Sequence, residues 1–549
     1  MTREEGPTMF PSPSSMRPTL RGTSGLVVAG HPIAAQAASE VLARGGNAVD
    51  AGVAAGLVLA VVHSDMCSLG GIAPMLVREP SGNVWSIGGV GTWSETASIE
   101  AFVDRHGGEI TPGCGAVVVP AALSAYCSAL ERFGSWSFED VAQPAHEAAL
   151  DGFVVDPVVA AGHELFGEVY QQWRSSVDAF WPEGRPPRVG EVLRQPDLAS
   201  TLERLRDEGD ARSAKERFHR GDIASAMVDF VRSNGGFLTL GDVADFEAEV
   251  APAPTRRYRD QQVFSTPAWS QGPMMLQALA ILSNVDVGAM NHNGADHLHL
   301  LTESIKLAAS DREAFYGPGD DVPIEWLLSD ARAAELARRF DPSSALVNLP
   351  TIRGEQLGTT HFTVIDADGT ACSAAPSDTA SLGPVVPGLG FVVSPRGVQS
   401  RLDPTHPAAL GPRRRPRVTP AADIAEGDDG TITALACPGA DVIVQAMLQV
   451  ASNVWDFDMA LQEAVEAPRL CSLGFPSSFA PHTEIEGQLC VESRIPEAIR
   501  ADLERRGHRV QDWPDWEFDA GSVSVVQRYP NRTLAAGADP RRAAYAAGR

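Results

Sequence analysis

Gly358-Thr359-Thr360-His361-Phe362-Thr363-Val364-Ile365-Asp366-Ala367-Asp368-Gly369 reads as a strand that begins at a threonine and turns back at Asp368-Gly369, a strong hairpin dipeptide. The run Thr370-Ala371-Cys372-Ser373-Ala374 returns beside it. A cut between Gly358 and Thr359 would give Thr359 a free α-amine. One residue would then carry both a hydroxyl nucleophile and its general base. An unperturbed α-amine has a pKa of roughly 7.7–8.0, so a usable fraction is neutral near physiological pH. Taken alone, a Thr-Thr pair is an ordinary strand former, and the rest of the chain has to decide.

Upstream of that junction the chain is mostly helical. Gly25-Leu-Val-Val-Ala29 reads as a short strand, and His31 to Arg44 has helical spacing that stops at Gly45-Gly46. Asn47 caps a second helix carrying Asp50 and the apolar run Ala51–Val62. Ser68-Leu-Gly-Gly71 then breaks the chain before an apolar strand, Ile72 to Val77. Helices are predicted at Val118–Phe133, Phe138–Leu150, Leu198–Glu208, Ile223–Arg232 and Asp296–Phe315. Residues Asp341 to Leu357, rich in Pro, Ser and Gly, read as an exposed linker leading into Thr359. Downstream, short strands predominate at Phe362–Ile365, Val385–Val393, Ile432–Ala436 and Val523–Gln527, with one helix at Val442–Asn453. The mixture predicts an α+β layered fold.

Composition narrows the partners. The 549 residues carry a net charge of −26, which argues against nucleic acid and anionic membranes. The longest apolar run is too short to span a bilayer. The first 24 residues are rich in Pro, Ser and Thr and read as a lead-in without structure, with no apolar signal segment. Seven scattered cysteines, with no CxxC pair, fit a reduced, cytoplasmic protein rather than a disulfide framework. No cofactor or metal is implied.

Four stretches together resemble the γ-glutamyltranspeptidase family of N-terminal nucleophile hydrolases. They are Gly45-Gly-Asn-Ala-Val-Asp50 with Ser68-Leu-Gly-Gly71, Pro144-Ala-His-Glu-Ala-Ala-Leu-Asp-Gly-Phe153, Leu298 to Arg312, and Thr359-Thr-His-Phe362. The resemblance implies a four-layer αββα sandwich. It also implies autocatalytic cleavage into residues 1–358, whose body after the lead-in is 25–358, and 359–549, which stay together as an αβ heterodimer able to dimerise further. Thr359 is then the nucleophile, attacking the Gly358 carbonyl during maturation. Ser377 stands at the position of a second hydroxyl bonded to it, and Gly439-Ala440 at that of the oxyanion hole.

The chain departs from the family where the substrate is held. Ser94, in Thr92-Trp-Ser-Glu-Thr-Ala97, replaces the arginine that holds the glutamyl carboxylate, and Val398-Gln399 and Pro416-Arg417 fall where an acidic residue and paired serines are expected. Ser cannot replace a bidentate arginine clamp. The segment around Ser377-Asp378-Thr379 and Ser394–Pro404 resembles a divergent branch that includes oxamate amidohydrolase. Candidate substrate-binding residues are Thr379, Asp378, Arg396, Arg401 and Asp441, with Arg396 or Arg401 holding a carboxylate from a new direction. The expected activity is hydrolysis of a small, carboxylate-bearing amide. γ-Glutamyl transfer in an altered pocket and a non-catalytic scaffold are the alternatives. A metal hydrolase built on His292, His297 and His299 is disfavoured, because no HExxH-type spacing exists.

Overall fold

The structure is a computed structural model that describes residues 14–319, 321–346, 358–483 and 485–549. Two seven-stranded antiparallel sheets form its centre. One runs, edge to edge, Leu20–Gly22, Leu534–Ala538, Ser524–Arg528, Ile432–Ala436, Ala422–Gly427, Gln261–Ser265 and Thr255–Tyr258. The other runs Tyr545–Gly548, Gly25–Ala29, Phe362–Asp366, Ala371–Ala374, Met75–Arg78, Val84–Ile87 and Val250–Pro252.

Alternation along each strand explains the layers, because successive side chains point to opposite faces. In Gly25–Ala29, Leu26 and Val28 join a core shared with Ile365, Ile424, Ala434, Val526 and Ala536, which come from both sheets. Val27 and Ala29 turn the other way, into a core with Val364, Phe362 and the helices Pro32–Ala43 and Ala48–Val62. On the far sheet, Val263, Leu435 and Val525 face the helices Gly272–Leu282, Ala295–Phe315 and Ile443–Trp455. Strands apolar on both faces are therefore covered on both faces, and the order is helices, sheet, sheet, helices. This is the expected αββα sandwich.

Local chemistry sets the elements. Asn47 and Asp50 form a capping box at the start of Ala48–Val62, and Asp50 also accepts from the Ser135 N–H and hydroxyl. Every residue of that helix is buried. The hairpin closes as predicted: the Asp366 carboxylate accepts from the N–H groups of Asp368 and Thr370, and Gly369 takes φ +88°.

Four expectations change. Leu20–Gly22, assigned to the unstructured lead-in, pairs with Leu534–Ala538, and the Met16 N–H donates to Glu466 at 2.6 Å. Val385–Val393 is no strand; only a single bridge, Val385 to Val392, forms, because Pro387, Gly388 and Gly390 interrupt the ladder. The strand begun at Ile72 starts at Met75, and the helix begun at Val118 starts at Ala122. Of the expected linker, residues 347–357 lie outside the described residues.

Strands from before and after the Gly358–Thr359 junction pair with one another within both sheets. Gly25–Ala29 lies between Phe362–Asp366 and Tyr545–Gly548. Met75–Arg78 pairs with Ala371–Ala374, and Gln261–Ser265 with Ala422–Gly427.

Candidate active site

Thr359 sits at the mouth of the central hairpin and forms a bridge to Ser377 on the returning segment. Their hydroxyls are 3.0 Å apart, and Ser377 Oγ donates to the Gly358 carbonyl at 2.6 Å. One serine thus touches both the Thr359 hydroxyl and the carbonyl beside it. All three side chains or atoms are buried: Thr359 is 2% exposed and Ser377 0%. The Ser377 N–H is fixed by the Ile72 carbonyl at 2.9 Å. The Ser68-Leu-Gly-Gly71 break makes this approach possible, since a Cβ at Gly71 would lie 2.3 Å from the Ser377 carbonyl oxygen.

Behind Ser377 lies an ion pair with no exposure on either side. Arg396 donates through Nε to Asp378 at 2.7 Å, through Nη1 to Gln399 at 3.1 Å and through Nη2 to Ser377 Oγ. Ser394 donates to the second Asp378 oxygen at 2.5 Å. Asp378 adopts φ +88°, a conformation few residues other than Gly, Asn and Asp tolerate. Arg396 and Asp378, expected at the substrate, are engaged with one another and brace the serine. Thr379 packs behind the junction: a Cβ on Gly358 would lie 2.8 Å from the Thr379 Cβ and 3.0 Å from the Asp65 carbonyl. Only glycine fits there.

Gly439 and Ala440 form the turn before the helix Ile443–Trp455. Gly439 has φ +130° and Ala440 φ +52°. A left-handed alanine costs roughly 1–2 kcal/mol, so the turn is held from outside. Asp441 does this, accepting from Arg312 Nη1 at 2.6 Å, from Ser478 N at 2.9 Å and from Gln271. Arg312 is the last residue of the third family-like stretch, which gives that motif a supporting task. Arg401 lies in the same support, paired with Glu313 at 2.8 Å, and Glu313 also meets Arg312 and Arg417. The two arginines proposed from sequence are therefore both committed to carboxylates of the protein.

A cavity of about 510 Å³ opens at the junction, with Gly358, Thr359 and Gly439 on its floor. Its walls are Met66, Pro157, Val158, Leu165, Phe166 and Phe518 among others, and Arg542 and Asp519 also line it. None of these wall residues was a sequence candidate. They come from the turn after the helix Ala48–Val62, from Pro157–Leu165 and the residue that follows it, and from segments more than 150 residues beyond Thr359, with no local motif to mark them. A cavity of about 600 Å³ elsewhere, lined by Trp173, Leu198 and Pro384, contains neither Thr359 nor Ser377.

The electrostatics beneath the site are set by burial. Desolvation, then the Arg542 charge, pushes His361 down to about 3, so its ring is neutral. Desolvation, then His31, likewise lowers His63 to about 3, and its Nδ1 lies 3.1 Å from Thr360 Oγ1. Burial raises Asp65 well above the carboxylate range. The histidines of the disfavoured metal reading are occupied: His297 Nδ1 accepts from Asn293 N at 3.1 Å, and His292 contacts Asn453 at 2.8 Å. Among the described residues, His299, Glu303 and His508 bring three ligand-type atoms within 4.8 Å of one another. Lys306 and the Leu346 N–H already take the two Glu303 oxygens at 2.8 and 3.0 Å, and the imidazoles bond each other at 2.8 Å. That cluster is a complete hydrogen-bonded unit.

Comparison with known proteins places this geometry. The chain is 29% identical to the glutathione hydrolase proenzyme of Escherichia coli (strain K12), over 95% of this chain and 91% of that one. It is also 29% identical to the oxamate amidohydrolase proenzyme of Klebsiella pneumoniae, over 96% and 98%. The crystal structure of cephalosporin acylase from Bacillus halodurans superposes with a TM-score of 0.88 at 29% identity, covering 99% of both chains. Three relatives of different named chemistry are equally similar, so similarity alone does not select a substrate. Residues 34–549 match the gamma-glutamyltranspeptidase family over nearly the whole chain, and the protein belongs to that family.

Proposed function

We propose that the chain matures by self-cleavage at Gly358–Thr359 and then hydrolyses an amide bond of a small carboxylate-bearing substrate through a Thr359 acyl-enzyme. The observation that carries this reading is the single serine hydroxyl shared by Thr359 Oγ1 and the Gly358 carbonyl, at 3.0 and 2.6 Å. In maturation, Thr359 Oγ adds to the Gly358 carbonyl carbon. The C–N bond to Thr359 breaks, and its nitrogen takes up a proton and becomes the α-amine. The resulting Gly358 ester is hydrolysed by water, releasing the Gly358 carboxylate and regenerating the hydroxyl.

In turnover the α-amine takes the proton of Thr359 Oγ as the hydroxyl attacks the substrate carbonyl. The oxyanion forms against the backbone N–H groups of the Gly439-Ala440 turn, where each donor is typically worth about 2.7–4 kcal/mol. The protonated amine then gives its proton to the leaving nitrogen. Water, activated by the same amine, resolves the ester. The relatives named as proenzymes support the maturation step. Transfer of a γ-glutamyl group fits less well: Ser94 is buried and donates to Asp242 at 2.6 Å.

Intact-mass measurement of the purified chain tests this directly. Two fragments, 1–358 and 359–549, are expected, and Thr359→Ala should remain one inactive chain. Normal cutting in T359A would refute the nucleophile.

A further inference from the structure

Cutting the chain at Gly358–Thr359 would change how Thr359 is held. In the uncut chain its nitrogen is bonded to Gly358, so the residue is restrained from both sides. Once that bond is gone, the backbone holds Thr359 only from the side of Thr360. The Thr360 N–H donates to the Pro376 carbonyl at 2.9 Å, beside the bridge between Thr359 and Ser377. The Thr360 hydroxyl supplies a second tie, 3.1 Å from His63 Nδ1. Both side chains are buried.

Both partners of this second tie are themselves fixed. His63 closes the helix Ala48–Val62, its N–H donating to the Leu59 carbonyl at 2.9 Å. Its own carbonyl accepts from the N–H groups of Met66 and Cys67 at 2.9 and 3.0 Å. Gly30 lets the Thr360 hydroxyl pack directly against its backbone, since a Cβ there would lie 2.1 Å from Thr360 Oγ1. A neutral imidazole has one donor and one acceptor nitrogen, so Nδ1 can bond this hydroxyl in either tautomer. The other ring nitrogen, Nε2, stands 3.9 Å from Asp65 Oδ1, beyond hydrogen-bond reach. Among the described residues neither Nε2 nor the two Asp65 carboxyl oxygens have a hydrogen-bond partner. The one hydrogen bond of the His63 ring therefore goes to the residue that follows the nucleophile. Leaving buried polar atoms unpaired is costly, and packing alone does not call for it here.

Resting on the acyl-enzyme reading above, we infer that His63 is a positioning residue of the cut enzyme: through Thr360 Oγ1 it fixes the peptide plane from which the freed Thr359 hangs, and so keeps the new α-amine and hydroxyl against Ser377. His63 acts through Thr360. Its contribution begins when the restraint from Gly358 is lost, so acyl transfer depends on it more than maturation does.

The test follows two rates in the full-length protein: appearance of the two fragments, and acetyl transfer to Thr359 from the activated ester p-nitrophenyl acetate. In that transfer the ester C–O bond breaks and the acyl carbon bonds to Thr359 Oγ. The hydroxyl proton passes to the α-amine, and p-nitrophenolate leaves. Residues 359–549 contain no lysine, so no ε-amine there competes for the label, and peptide mapping places it. Thr360→Val keeps the shape and drops the hydroxyl; it should be cut within about threefold of the wild-type rate and acetylated about 10- to 100-fold more slowly. Thr360→Ser should recover most of that loss. His63→Asn puts an amide where Nδ1 stands and should stay near wild type, whereas His63→Gln, with its amide toward the Nε2 position, should resemble Thr360→Val. The double variant H63Q/T360V should be no slower than either alone, because all three lack the same bond. If melts show that Thr360→Val does not fold, the two His63 variants decide. Equal acetylation in His63→Asn and His63→Gln, cutting slowed as much as acetylation, or losses that multiply in the double variant would each overturn the assignment and leave the nucleophile standing. A T359A chain that is cut, or a cut wild type that takes no acetyl at Thr359, would instead overturn the nucleophile.

Discussion

Replacing Asp378 with Asn keeps the shape of the side chain and its tolerance of φ +88° but deletes one charge of a pair in which neither partner reaches solvent. Arg396 would be left as an uncompensated buried cation, with Gln399 and Ser377 as its remaining partners. Removing one member of such a pair costs about 3–5 kcal/mol. For a chain of 549 residues melting as one unit, an unfolding entropy of about 2.1 cal/mol/K per residue converts this to a drop of about 3–4 °C. A second effect should accompany it. Arg396 Nη2 holds Ser377 Oγ, which contacts Thr359 Oγ1 and the Gly358 carbonyl, so a loosened arginine would displace the hydroxyl. Losing about 1.4 kcal/mol of that positioning slows maturation tenfold. The assay is a gel time course of the two fragments beside a thermal melt. The double variant D378N/R396Q should melt above D378N, because no stranded charge remains. Fragments appearing at the wild-type rate, with an unmoved melt, would refute the view that this pair positions Ser377.

Gly358→Ala would press a methyl group against the Thr379 side chain at 2.8 Å and the Asp65 carbonyl; displacing the scissile carbonyl by about an ångström should slow cutting about 100-fold, and a gel showing wild-type kinetics would contradict this. Asp423→Asn should show a pH-dependent gain. Burial pushes the Asp423 carboxyl up to about 7 from an unfolded value near 3.8, so between those values the folded state holds the extra proton and stability falls as pH rises. The variant, which cannot ionise, should gain almost nothing at pH 4 and up to about 4 kcal/mol above pH 7. Melts from pH 4 to 8 with a constant difference between the two proteins would count against it.

What could be read from the sequence follows the range of the interactions. Asp368-Gly369 and the Asn47/Asp50 box are local devices, and both stand where they were expected. The two-sheet core was less legible: Gly25–Ala29 and Ile432–Ala436 are apolar on both faces, so alternation does not reveal which residues meet the other sheet. Order and spacing of the four family-like stretches supplied the layers instead. Val385–Val393 misled because its apolar residues pack without a ladder. Arg396 was marked as a candidate by its charge, but nothing in its neighbourhood announced that Asp378, 18 residues earlier, would claim it. Arg542 carries no motif and reaches Gly439 only through the fold.

The pairing of strands across the junction would have a consequence for a cut protein. Five strand pairs join the residues before Gly358 to those after Thr359, and Gly25–Ala29 is gripped on both edges. A nick at Gly358–Thr359 would create two new ends while every ladder holds, so the halves would stay woven together without a covalent tie. Each half alone would be a set of open sheet edges, prone to sticking. The two pieces should accordingly be inseparable short of denaturation, and unable to find each other cleanly if made apart.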